Sequence, residues 1–465
     1  MKLKSLFLGS VAAAGLSTAG FAADLGVLTS LDVCDSLGIS GLTLSSSDNC
    51  LQITGGVSYE FAVGQFRKEV AVAGTVDSRK VPVALNGEDW DSRVISWVKF
   101  VGTAASDFGP ASATIKLKSD YRNRTRGDAN GHNQTLAETG DFFADEAFVQ
   151  IGDTTTIMAG KKGTIANLDD DAPFNYLGLF NSSSLDGNGV GIDGDTDLFG
   201  GHVIQVVSEV ADGLKIGVGL EALGNDVADA GEKGPGTLVG VVSYAGEGVT
   251  AHLTAAAFEL LGDQNTESWL IHAGATGTFD AFKVRAAVSY FNNSLIGSDS
   301  IVAGVDKHTG ANILNALVSA EGTFDMFKLA ISGEIQNVTD SPNVADFTDY
   351  GVGGSVGFTV TEGVSINLGA RYFHDGLDDL GTTQVAAQLV AALTETIKAT
   401  AEVGGYFGTA IEHQNTAGRL KNDSVFYGAA QLDWAPGGGF TSSLRGEANS
   451  ENAYKVTFKA AKEFK

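Results

Sequence analysis

Proline, cysteine and basic residues are all scarce in this chain, and each scarcity excludes something. Six prolines in 465 residues is about 1%, against a usual value of ~5%. Thirty Lys and Arg stand against 56 Asp and Glu, a formal net charge of −26. Nucleic acid is therefore a poor partner, because neutralising phosphate needs clustered Lys and Arg. The balance suits an acidic soluble, cation-attracting or calcium-binding surface instead. No stretch approaches 18 consecutive apolar residues, so no transmembrane helix is expected. Charged residues reach only 18%. Glycine is in excess: 61 of 465 residues is about 13%, against about 7%. High glycine with low proline argues against a disordered chain, which is rich in both. Collagen needs glycine at every third position, which is absent. Helical bundles are disfavoured at about 1 kcal/mol per glycine relative to alanine.

The first residues read as an address. Lys2 and Lys4 form a basic start, Leu6 to Gly15 is mostly apolar, and Gly20-Phe21-Ala22 offers small residues at the positions a signal peptidase reads. Residues 1–22 are expected to be a cleaved secretory signal; the apolar run is short for a membrane anchor. Loss of Lys2 and Lys4 takes the net charge to −28. Export places Cys34 and Cys50 in an oxidising compartment, which favours a disulfide over two free thiols. No His lies between them to complete a metal site. The pair would close residues 23–50 into an amino-terminal segment ahead of one large domain over 51–465.

The rest of the chain alternates. Ala113, Ile115, Leu117 and Tyr121 fall on one face, and Thr114, Lys116, Lys118, Asp120, Arg122, Arg124 and Arg126 on the other. Val284, Ala286, Val288 and Tyr290 oppose Lys283, Arg285 and Ser289; Leu329, Ile331 and Ile335 oppose Lys328, Ser332, Glu334 and Gln336. Val456 and Phe458 oppose Lys455, Thr457 and Lys459 near the end. Period two is the mark of strands with one apolar and one wet face.

Short connections alternate with long ones. Nine short ones occur, such as Ala211–Gly213, Gly246–Gly248, Phe279–Phe282 and Thr361–Gly363. Long ones include Arg67–Asp91, Asn123–Gly140, Gly163–Gly200, Asn293–Gly310, Val338–Thr348 and Thr409–Asn422. This is the layout of an all-β, antiparallel, up-and-down transmembrane β-barrel. Nine turns imply twenty strands, and an even number between 16 and 20 is expected. A solenoid would keep repeat length fixed, and a soluble β-sandwich array would show no such loop asymmetry. Apolar residues on one face only also explain the ordinary mean hydropathy of +0.07. Closure removes the unpaired edges that lipid does not tolerate, and scarce proline leaves the ladders intact. Aromatics near strand ends, as at Tyr290-Phe291 and Tyr372-Phe373, suit interfacial belts.

Val33-Cys34-Asp35, a Gly/Ser-rich spacer, and then Cys50-Leu51-Gln52-Ile53-Thr54-Gly55-Gly56-Val57-Ser58-Tyr59-Glu60 resemble the amino terminus of the alphaproteobacterial porins. The opening Met-Lys-Leu-Lys-Ser-Leu-Phe-Leu-Gly-Ser is similar to that family's signal. The match covers roughly the first 66 residues; beyond them the likeness is architectural. The resemblance implies homotrimeric, water-filled, 16-stranded channels for small hydrophilic solutes and ions in the bacterial outer membrane, with a third loop folded inward to narrow the pore. That family ends on an aromatic assembly signal, whereas here Lys465 follows Phe464.

The third loop, 163–200, carries Asp169, Asp170, Asp171, Asp186, Asp193, Asp195 and Asp197 and no Lys or Arg. An inward acidic loop facing the ladder Lys116, Lys118, Arg122, Arg124 and Arg126 would set a transverse field across the pore constriction. Modest cation preference is expected. Asp193-Gly194-Asp195-Thr196-Asp197 invites calcium, but the helix–loop–helix template wants Gly at Leu198 and Glu at Ile204. No cofactor is implied. The seven His are dispersed, with no HExxH or GxSxG motif, so no enzyme is expected; His252 and His272 read as lumen side chains. A passive diffusion channel is the leading function. A substrate-selective barrel or a surface adhesin with long acidic loops is the alternative.

Overall fold

The computed structural model describes residues 32–46, 48–73, 79–84, 87–127, 133–138, 140–175, 177, 198–224, 234–262, 267–297 and 305–465. The expected signal peptide, 1–22, lies outside them. Twenty antiparallel strands form the wall. They are β1 (Asn49–Gln65), β2 (Asp89–Ala104), β3 (Ala111–Gly127), β4 (Phe143–Ile151), β5 (Thr155–Lys162), β6 (Gly201–Ala211), β7 (Leu214–Glu221), β8 (Thr237–Gly246), β9 (Val249–Ala257) and β10 (Trp269–Phe279). The second half is β11 (Phe282–Asn292), β12 (Asn312–Phe324), β13 (Phe327–Thr339), β14 (Phe347–Thr361), β15 (Val364–Asp375), β16 (Leu380–Ala392), β17 (Ile397–Phe407), β18 (Ser424–Gly437), β19 (Phe440–Asn449) and β20 (Tyr454–Phe464). Each pairs with its sequence neighbour. β1 also pairs with β20, from Gly55↔Phe464 to Gln65↔Tyr454, and this closes the barrel. Twenty strands correct the sixteen implied by the resemblance and match the count from turns.

Nine connections on one side are tight. Three of them, after β6, β8 and β14, are two-residue turns whose second residue is Gly213, Gly248 or Gly363, with φ of 71°, 71° and 77°. Only glycine takes that conformation readily, and at Gly213 a Cβ would also lie 2.2 Å from the Ala245 carbonyl oxygen. The opposite side carries the long loops, although two, 376–379 and 450–453, span only four residues.

The outer face is apolar, as lipid demands. Val288, Val318, Ile331, Val352 and Val403 are 44 to 64% exposed along its middle. Two aromatic belts flank them: Phe282–Phe324–Phe327 and Trp434–Phe440 on the turn side, Trp269–Tyr290, Tyr350–Tyr372 and Phe407–Phe426 on the loop side. The period-two reading thus assigned Val288 and Ile331 to the outside and Lys283 and Arg285 to the inside correctly. Phe464 packs outward over Gly55 and is 44% exposed. It therefore holds a lipid-facing position although Lys465 follows it.

The amino-terminal segment is stapled to the wall by a Cys34–Cys50 disulfide, Cα–Cα 5.0 Å. A five-residue helix, α1 (Asp32–Ser36), carries Cys34. The short strand Thr43–Ser45 then pairs with Cys50–Gln52 of β1, where β1 outruns β20.

The apolar clusters sit inside the barrel. The first loop folds into a hairpin, Lys68–Ala73 with Arg79–Val83. Val70, Val72, Val81 and Val83 bury against Ala386, Tyr406, Val425 and Tyr427 of β16–β18 and against Ile411 of α2 (Thr409–Thr416). Thr382 donates to the Val72 carbonyl, Gln414 to Ala71 (2.9 Å) and Asn449 to Pro82 (2.8 Å). A second cluster joins Leu198 and Phe199 of the third loop to Phe258, Leu270 and Phe291. Wide barrels leave a lumen that side chains of the wall cannot fill, and inserted loops occupy part of it.

Candidate functional site

The site is the lumen. The stretch 163–175 of the third loop runs along the inner wall because that wall presents donors and acceptors at every second residue. The Gln205 amide donates to Gly163 O (2.9 Å), and the Ile165 N–H donates to the buried Glu221 carboxylate (2.9 Å). Thr254 donates to Asn167 O (2.7 Å) and accepts from Asn167 N (3.1 Å). The Asn167 side chain accepts from Asp169 N (2.9 Å), an Asx turn that redirects the chain. Asp170 follows in the left-handed region, φ 58°, which Asp tolerates better than most residues.

Asp170 meets three strands. Thr276 of β10 donates to Oδ1, Thr250 of β9 donates at 3.1 Å, and Arg285 Nε of β11 lies 3.8 Å away. His252 Nδ1 is 3.5 Å from Oδ2, and its Nε2 is 2.9 Å from His272 Nδ1. Farther on, Arg285 donates to Ala172 O (2.6 Å), and the Phe174 N–H donates to Ser319 of β12 (2.9 Å). The Phe174 ring lies 4.6 Å from Arg285 and 4.8 Å from Lys283.

Asp169, Asp170 and Asp171 line a polar cleft of about 970 Å³ that also holds Glu209, Asp212 and Lys215. Asp169 is exposed in it, whereas Asp171 is half-buried. Burial pushes the Asp171 carboxyl up to about 6, against the pull of Arg285. The other large concavity, about 1000 Å³, lies on the outer wall over Ile331, Gly354 and Ala370 and belongs to the lipid face. The described end of the sixth loop, 305–311, is also clasped to the wall. Lys307 Nζ sits 3.2 Å from Asp349 and 3.3 Å from Asp375, all three buried. Burial and Lys307 push the neighbouring His308 down to about 4, so it is neutral near pH 7.

Of the expected basic ladder, Lys116, Lys118, Arg122 and Arg124 lie on the lumen face of β3, the face paired with Asp91, Arg93, Trp97 and Lys99 of β2. It is not a bare positive wall, and this corrects the reading of a basic surface opposite an acidic one. Lys116 pairs with Asp145 (2.6 Å) and Glu146 (3.8 Å), and Lys99 with Glu146 (3.0 Å). Arg122 pairs with Asp91 (2.5 Å) and Arg93 with Asp120. Lys118 opposes Trp97, and Arg124 opposes Asp91 across the ladder. The Arg126 side chain and Asp186, Asp193, Asp195 and Asp197 lie outside the described residues. The calcium motif at 193–197 lies there too. Among the described residues no group of three His, Cys, Asp or Glu could hold a metal ion.

The structure thus brings Asp169–Asp171 to β9–β11, six to eight strands round from β3. Sequence reading put His252, His272 and Arg285 on the wet face and did not single out Thr250, Thr254 or Ser319; their role as the seat of the loop was missed. Their alternation marks which way they point, but nothing local marks what they meet.

No protein-family model matches the chain, and no curated protein sequence does. Similar solved structures include a triple mutant of the Rh. blastica porin, at 13% identity and TM-score 0.36, covering 89% of this chain and 100% of that one. Pseudomonas aeruginosa OccK11 (OpdR) is similar at 9% identity and TM-score 0.44, with 89% and 96% covered. OmpT of Vibrio cholerae is similar at 11% and 0.35, with 91% and 100% covered. The assignment rests on the molecule's own features. A closed, even-stranded antiparallel barrel with an apolar middle, two aromatic belts and a charged interior is a transmembrane β-barrel of the bacterial outer-membrane type.

Proposed function

We propose that the chain is an outer-membrane channel for passive diffusion of small hydrophilic solutes and ions, of the alphaproteobacterial porin type. It would be exported by a signal over 1–22 and act as a homotrimer, as the amino-terminal resemblance implies. It is not an enzyme in this reading. The carrying observation is the third loop seated inside the lumen along β9–β12, with half-buried charged groups on the wall of β1–β3 across from it. That arrangement narrows a water-filled bore and lines it with fixed charge. In this reading Asp169, Asp171 and the β3 ladder border the constriction. Single-channel recording of the purified protein in a planar bilayer tests it: stepwise conductance in salt is expected, and its absence overturns the proposal. A substrate-selective channel is the second reading. It is favoured by the first-loop hairpin and α2, which occupy the lumen beside β16–β18. Liposome swelling with neutral sugars of graded size separates the two: a smooth fall of rate with size supports diffusion, a single favoured solute supports selectivity.

A further inference from the structure

We propose that Asp170 is a positioning residue rather than one of the constriction charges. It latches the third loop to the inner wall and so holds the bore at one width, while Asp169 and Asp171 beside it present charge to the cleft. The proposal rests on the channel reading above.

The three consecutive aspartates are chemically alike, but the structure uses them differently. The Asp170 side chain is only 9% exposed and its oxygens are spent on the wall. Oδ1 accepts from Thr276 and Thr250 and lies 3.8 Å from Arg285 Nε; Oδ2 lies 3.3 Å from the Thr250 hydroxyl and 3.5 Å from His252 Nδ1. Three adjacent strands therefore converge on one carboxylate. A carboxylate that accepts several hydrogen bonds is held about twice as firmly per bond as a neutral acceptor. Its charge is also compensated by Arg285, so ions in the cleft feel little of it. The chain enters and leaves this point through the Thr254–Asn167 pair and the Arg285–Ala172 bond, which places Asp170 at the centre of the seat. The residue also holds a left-handed φ of 58°, which turns the chain so that its side chain faces the wall. Neither neighbour shares these features: Asp169 is exposed, and Asp171 is half-buried beside the cleft rather than clasped by the hydroxyls that hold Asp170.

The test is single-channel recording of the full-length mature protein, after heat-modifiable gel migration has shown each variant to be a folded barrel. Asp170→Ala should raise open-channel current noise several-fold and add sublevels. Asp170→Asn, which keeps an acceptor but not the charge, should fall between that and wild type. Thr276→Val removes the latch from the wall side and no loop charge; it should reproduce the noise, and the double variant with Asp170→Ala should be no noisier than Asp170→Ala alone. Asp169→Asn should stay quiet and move the zero-current potential in a salt gradient at least twice as far as Asp170→Asn. If Asp170→Ala fails to fold, Asp170→Asn and Thr276→Val carry the same reading. Quiet currents in both, or a reversal potential that moves as far for Asp170→Asn as for Asp169→Asn without added noise, overturn the latch while leaving the channel reading intact. A wild-type protein that passes no current overturns both.

Discussion

Asp171 is the residue whose surroundings predict a pH response. Burial raises its carboxyl from 3.8 to about 6. A raised value in the folded protein means that the seat favours the neutral acid. Its contribution to seating the loop is full below 3.8 and is lost as pH rises through about 6. Its charge in the cleft runs the other way, absent at pH 5 and present at pH 7. Cation preference, read as the zero-current potential in a dilute salt gradient, should therefore fall between pH 7 and pH 5. Asp171→Asn should flatten that window; an unaltered pH dependence in the variant would assign the titration elsewhere. His308, held near 4, stays neutral across it. The lipid face gives a second residue-scale expectation. Val288→Arg puts a cation at mid-strand among exposed apolar side chains and should cost roughly 2–4 kcal/mol in urea unfolding from lipid. Thr400→Arg, on the lumen face of β17, should cost well under half as much. Ser289 and Ser332 point inward but are 4% and 3% exposed, so arginine there would be costly for want of room, not for contact with lipid. Equal costs at Val288 and Thr400 would contradict the assignment of faces.

Among elements, the first-loop hairpin is one that sequence reading passed over. Val70, Val72, Val81 and Val83 alternate with Glu69, Ala71, Lys80 and Pro82, a period-two signal inside what reads as a long polar loop. The hairpin's partners are 310 residues away at Thr382 and 343 away at Gln414. No local pattern reports a contact at that separation. Val72→Asp together with Val81→Asp would bury two unpaired carboxylates, so the hairpin should leave its seat. Single-channel conductance should then rise and the swelling rate for larger sugars increase. Unchanged conductance with a folded barrel would place the hairpin outside the permeation path. The amino-terminal clasp was easier to read, because export and an isolated cysteine pair suffice for a disulfide. That Thr43–Ser45 extends the β1 ladder beyond the end of β20 was not.

For the whole molecule, selectivity is a sum over opposed walls. The chain is strongly acidic, yet the cations of β3 are interleaved with Asp91, Asp120, Asp145 and Glu146, so neither sign dominates that wall. In the channel reading a modest cation preference is expected. Asp169→Asn combined with Asp171→Asn should move the reversal potential toward anions, and Lys116→Gln with Lys118→Gln toward cations. Both shifts should be larger at 0.1 M than at 1 M salt, because the Debye length shrinks from about 10 Å to about 3 Å. Shifts independent of salt would argue against charges exposed to the pore.

Alternation and turn spacing were enough to point to a barrel, to an even number of strands between 16 and 20, and to the faces of residues such as Val288 and Arg285, because side-chain direction in a strand is a local property with a period of two. The same signals named Asp169–Asp171 and the β3 ladder as lumen candidates. They could not tell Asp170 from its neighbours, nor show Lys116 paired with Asp145, nor put the hairpin against β16–β18. Those outcomes depend on which side chains the closed wall brings within about 3 Å of one another, across strands and loops far apart in the chain. Closure of the barrel creates those neighbours, and no stretch of sequence contains them.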